Sequence, residues 1–146
     1  MKVLVDTNII LDFLLERNPF FSDVERLFQA INSGEIVGYV TATTLTDIFY
    51  VAKRQTQSIE RARHAISMIM TTMEICLVDR STLEAALISG ITDFEDAVQI
   101  ACAIAQNLDA IVTRDTKFAG ASIPVLSVSQ ILQQLSLSQN RDDLLS

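Results

Sequence analysis

The sequence predicts an α/β domain with a mainly parallel central sheet of about four to five strands flanked by helices. Short apolar runs recur along the chain, and one or two amphipathic segments separate each from the next. The 146 residues suit one domain, and 49% of them are hydrophobic against 20% charged. Gly and Pro number only 4 and 2, which argues against disorder and low complexity.

The elements follow in order. Residues 2–6 are an apolar run suited to a strand covered on both faces. Residues 8–16 place Ile9, Ile10, Phe13 and Leu14 at helical spacing, and Asn18-Pro19 breaks the pattern. Ser22 to Glu25 reads as a capping box for a helix with Val24, Leu27, Phe28 and Ile31 on its buried stripe. Gly34 ends that helix, and residues 36–40 form a second strand. Helices are expected over 44–53 and 58–72, then a strand over 75–78. Ser81 and Thr92 each open a capping pattern, for a short helix ending near Gly90 and for one reaching Gln106. Residues 110–113 and 124–126 supply the last strands, and a closing helix is expected over 128–135. The domain is therefore placed at 1–135, with 136–146 a frayed tail.

Cys76 and Cys102 make no CxxC motif, and there is a single His, so a zinc site has too few soft ligands. Without a disulfide framework or a signal peptide, the expected compartment is the cytoplasm. Mean hydropathy is +0.33, yet no run reaches the roughly 18 apolar residues of a membrane span. The net charge of −7 argues at first against a nucleic-acid partner, because phosphate binding favours a basic surface.

The placement of the acids changes that. In a parallel sheet, ligands bind outside the carboxyl ends of the strands. Asp6 ends the first strand, and Asp115 follows the fourth. Asp47 lies near the start of a helix entered from the second strand, and Asp93 and Asp96 share one face at the start of another. Each has a plainer reading. Asp6 can cap a helix, Asp47 completes Thr44-x-x-Asp47, Asp93 and Glu95 suit a helix first turn, and Asp115 suits an Asx-turn. Together they form an all-oxygen set, which selects Mg²⁺ or Mn²⁺ over zinc or copper. Such ions activate water and neutralise phosphate oxygens, so no catalytic His is needed. Without Asp6, Asp47, Asp93, Asp96 and Asp115, 13 acids would remain against 11 basic residues, so most of the net charge belongs to one site.

Val5-Asp6-Thr7-Asn8, Thr44-Leu45-Thr46-Asp47-Ile48, Asp93-Phe94-Glu95-Asp96-Ala97 and Ile111-Val112-Thr113-Arg114-Asp115 resemble, in this order, the PIN-domain ribonucleases. The resemblance spans residues 1–135 and implies a single PIN-like domain. It also implies a Mg²⁺- or Mn²⁺-dependent endoribonuclease cleaving single-stranded RNA, of the VapC toxin type with a cognate antitoxin and a homodimer. By the same resemblance Asp6, Asp47, Asp96 and Asp115 match the acidic quartet, and Asp93 is a further metal ligand or supporting acid. Asn8 and Thr113 match the polar residues that support the site. The sequence departs from the family pattern at Asp47, where Glu is usual; its side chain is one methylene shorter.

Lys53, Arg54, Arg61 and Arg63, with His64, form a basic cluster that reads either as an RNA-tracking patch or as a solvated helix face. Arg114 reads as a phosphate contact or as the partner of a site carboxylate. Two other functional classes stay open. A doubly wound phosphatase or phosphotransfer domain would use Asp6 as nucleophile, but Asn8 breaks the Asp-x-Asp pattern that chemistry needs. A non-catalytic PIN-like interaction module is compatible with Asp47 and with the acidic charge.

Overall fold

Parallel pairing builds one five-stranded sheet, in the order β3-β2-β1-β4-β5. The computed structural model describes residues 1–115, 118 and 121–146. Along the chain these form β1 (Lys2–Val5), α1 (Thr7–Leu14), α2 (Phe21–Asn32), β2 (Val37–Thr41), α3 (Ala42–Thr56) and α4 (Ile59–Thr72). There follow β3 (Glu74–Cys76), α5 (Arg80–Ile88), α6 (Phe94–Ala105), β4 (Ala110–Val112), β5 (Val125–Leu126) and α7 (Val128–Leu145). No helix among the described residues is long and apolar enough to cross a membrane.

Side-chain alternation along the strands divides the interior into two layers. Val3 and Val5 of β1, Val40 of β2, and Ala110 and Val112 of β4 face one core, closed by α1, α2, α3, α4 and α7. Leu4, Cys76 and Ile111 face the other, closed by α5 and α6. Leu4 is fully buried between Tyr39 and Ile111, its register partners on the neighbouring strands. Burying each such aliphatic side chain contributes about 1.5–3 kcal/mol. Gly38 of β2 lets α2 close on the sheet, because a Cβ there would meet Ile31 Cδ1 and Met73 Cε at 2.9 Å. Burial pushes the Cys76 and Cys102 thiols up to about 12 and 11, so both act as small apolar side chains.

Several helix starts differ from the sequence expectation. The capping box at Ser22 does not form; α2 begins at Phe21, and Phe20 stands at the cap without a side-chain bond. Aromatic packing sets this start, with Phe21 stacked on Phe13 at 6.2 Å and Phe20 against Arg114 at 4.0 Å. Helix α3 starts earlier than expected, with the Thr41 hydroxyl accepting from Thr44 N, so Asp47 lies beyond the first turn. Asp79 and Asp93, not Ser81 and Thr92, cap α5 and α6. Residues 136–145, expected to fray, continue α7 as helix. That stretch lacks Gly and Pro and includes Leu137, Leu144 and Leu145, so nothing in it stops the helix.

Candidate active site

The chain leaves β1 towards β2 on one side, while β4 pairs with β1 on the other. The segments after β1 and β4 therefore diverge, leaving a crevice at the carboxyl ends of these two strands. Asp6 stands there, only 7% exposed. It caps α1, accepting from Thr7 N at 2.8 Å. Its Oδ1 also accepts from Gln99 Nε2 at 3.0 Å, and its Oδ2 accepts from Thr113 Oγ1 at 2.7 Å. The carboxylate that caps α1 is thus the one that stands at the crevice.

Thr113 also accepts from Asp115 N at 2.9 Å, so one hydroxyl joins the segment after β4 to the end of β1. A threonine relay sets the third side of the crevice. Thr7 Oγ1 donates to Thr44 Oγ1 at 3.1 Å, and Thr44 lies 2.9 Å from Thr41. This fixes the start of α3 beside the start of α1. Asp47 and Asp96 are both half-buried, on α3 and in the first turn of α6, and Asp115 is half-buried after β4. Asp93 accepts from Asp96 N at 3.0 Å as the α6 cap.

Glu95, which the sequence reading placed as a first-turn acid, turns out to belong to this group. Partial desolvation, then a hydrogen bond with Asp47, then the charges of Asp47, Asp6 and Asp93 push its carboxyl up to about 7. Two carboxyl groups that share a hydrogen bond must share a proton between them. Glu95 thus reaches towards the short Asp47 side chain from the opposite helix. Gln99 was also missed. It is 1% exposed on the buried face of α6, and its Oε1 has no hydrogen-bond partner among the described residues.

The other sequence candidates lie elsewhere. Arg114 turns away from the acids and forks onto Asp12, at 2.7 and 3.1 Å. Asp12 is fully buried, with Arg17 at 3.7 Å as its second cation. Asn8 is exposed in the first turn of α1, where Thr7 makes the cross-helix contact. Lys53, Arg54, Arg61 and Arg63 are exposed around the α3–α4 connection. Helix α3 carries this cluster away from the crevice, roughly 16 Å along its axis at 1.5 Å per residue.

Among the described residues, no three acids stand close enough together to hold a metal ion as they are. Mg²⁺ does not require such a cage, since it commonly binds through one or two carboxylates, waters and substrate phosphates. The donor chemistry fits such an ion: all the side chains are oxygen ligands, and beyond burial and the Asp47 hydrogen bond, Glu95 is raised by the charges of Asp47, Asp6 and Asp93, which a cation would offset.

Residues 2–117 match the family model described as PIN domain. No curated protein sequence is significantly similar to the chain. Among solved structures, the chain is similar to VapC20 of Mycobacterium tuberculosis, a sarcin-ricin loop cleaving toxin. The TM-score is 0.67 and the identity 16%, over 83% of this chain and 95% of that one. It is similar to DNA-bound VapBC from Salmonella typhimurium, with a TM-score of 0.68 and 16% identity over 88% and 98% of the chains. A toxin-antitoxin complex from Klebsiella pneumoniae matches with a TM-score of 0.65 and 23% identity, over 86% and 97%. These likenesses show a shared fold. With the family model matched from β1 to beyond β4, the chain belongs to the PIN-domain family.

Proposed function

We propose that the chain is a Mg²⁺- or Mn²⁺-dependent endoribonuclease acting on single-stranded RNA. The observation that supports this best is the hydrogen bond that joins Glu95 of α6 to Asp47 of α3; burial, that bond and then the charges of Asp47, Asp6 and Asp93 push Glu95 up to about 7. Asp6, Asp96 and Asp115 would hold the ion, with Asp47 beside them, and Glu95 adds the reach that Asp47 lacks. When bound, the ion supplies positive charge against the phosphate and lowers the pKa of an attacking water. The chain's own part is orientation. Gln99 and Thr113 hold Asp6 by both oxygens, and Thr113 ties that carboxylate to the Asp115 backbone. The test is cleavage of a single-stranded RNA by purified protein with Mn²⁺, with EDTA, and with Asp6→Asn. Cleavage is expected only for the unaltered chain with metal, and activity surviving both EDTA and the substitution would refute the reading.

A role as the toxin of a cytoplasmic toxin–antitoxin pair follows from the same reading. It is supported by the fold shared with a solved toxin-antitoxin complex and with a solved VapBC. Expression should slow growth, and co-expression of a small protein encoded beside it should relieve the effect. Growth unaffected by an active chain would count against the toxin role alone.

A further inference from the structure

A cavity of about 590 Å³ opens beside the acidic crevice, and Thr113 belongs to both. Its volume lies within the roughly 300–1,000 Å³ of ordinary ligand pockets. Ile9, Phe20 and Val128 give it apolar wall, and Thr113, Arg114 and Ser127 give it polar groups. The flat part of that wall is the stack of Arg114 on Phe20, with the guanidinium carbon 4.0 Å from the ring centroid. This stack is held in place from behind. Arg114 is forked onto the fully buried Asp12, which fixes the plane of the guanidinium. Phe20 remains 37% exposed and the Arg114 side chain 35%, so both keep surface open.

The charge of the cavity decides between parts of a nucleotide. Arg114 and Arg17 share the Asp12 carboxylate, and Asp23 places a second acid in the lining, so the charges of these four groups balance. A phosphate therefore gains little here. A nucleobase gains a planar aromatic and guanidinium surface together with the Ser127 and Ser129 hydroxyls of the lining. Unstacked bases of single-stranded RNA are recognised on such surfaces.

We propose that this cavity is a nucleobase subsite, taking the base of a nucleotide next to the phosphate held at the crevice. The proposal rests on the ribonuclease reading for its biological substrate, but it is measurable without any cleavage. The isotope-labelled full chain is titrated with each of the four nucleoside 5′-monophosphates and with ribose 5-phosphate, in Mg²⁺ and again in EDTA. None of these probes has a phosphodiester to cut. At least one nucleotide should shift the amide signals of Phe20, Arg114 and Ser129, while ribose 5-phosphate leaves them in place. Phe20→Ala should weaken that nucleotide about 5- to 150-fold, from the roughly 1–3 kcal/mol of one base–aromatic stack. Phe20→Tyr should retain the affinity. Phe20→Leu, which keeps apolar bulk without an aromatic face, should behave as Phe20→Ala and covers failure of the smaller variant to fold. Equal shifts from ribose 5-phosphate would overturn the proposal, as would unchanged affinity in Phe20→Leu. So would a cavity that takes a peptide and no nucleotide. Metal-dependent cleavage without base-dependent binding would overturn the subsite alone; base binding without cleavage would overturn the nuclease reading alone.

Discussion

Replacing Arg114 by alanine strips a fully buried carboxylate of its principal partner. Asp12 has no exposure, and Arg114 reaches it with Nε at 2.7 Å and Nη2 at 3.1 Å. Removing one member of a buried pair typically costs about 3–5 kcal/mol, because the other charge stays desolvated. Two features place this case near the lower end. Arg17 remains 3.7 Å away, and the lost Arg114 side chain is itself 35% exposed. Loss of the Phe20 contact adds about 0.5–1 kcal/mol. The expected destabilisation is therefore about 3–4 kcal/mol by urea unfolding. At about 2–4 °C per kcal/mol for a domain of this size, Tm falls by roughly 6–16 °C. Replacing both members with apolar side chains, Asp12→Leu with Arg114→Met, should restore most of the loss, since no charge is then left buried. A single-substitution effect below about 1 kcal/mol would refute this reading of a buried, paired Asp12. A double variant no more stable than the single one would refute it equally.

Gln99→Leu should leave stability within about 1 kcal/mol, because it removes a hydrogen bond and a buried unpartnered carbonyl oxygen together. It should weaken Mn²⁺ binding by about 10- to 100-fold in calorimetry, the usual loss when a ligand's supporting group is removed. Metal-free protein should lose stability as pH rises from about 4.5 to about 7, because Glu95 is raised and the folded state binds the extra proton across that window. Melting curves should show this slope, and Glu95→Gln should flatten it. Gly38→Val should cost about 1–3 kcal/mol by overpacking against Ile31 and Met73, measured by urea unfolding.

Much of the scaffold was readable because its signals are local. Apolar runs marked the strands, and helical spacing marked the faces that close the two cores. The rule that ligands gather at strand carboxyl ends pointed to Asp6 and Asp115 before any coordinates. Glu95 was not readable in the same way. Its sequence neighbourhood says only that acids favour a helix first turn. What gives it a role is Asp47 on a different helix, and that proximity exists only after α3 and α6 pack on the sheet. Asp12 and Arg114 are separated by most of the chain, so their pairing had no local trace. Gln99 did leave one: it is a polar residue between Val98 and Ile100 on a face of buried residues. The expected start of α2 was misplaced because cap preferences are worth about 1 kcal/mol and yielded to the packing of Phe20 and Phe21.

Thr113 carries a single hydroxyl proton, and the structure spends it on Asp6. Its oxygen must then act only as acceptor towards Asp115 N, so the direction of this link is fixed. A displacement of the segment after β4 cannot be absorbed by turning the hydroxyl around; it must be passed to the carboxylate at the end of β1 or break the link. The same residue walls the neighbouring cavity. One side chain thus both lines that cavity and holds the Asp6 carboxylate. Serine at this position would keep the link with more slack, whereas valine would keep the shape and sever it.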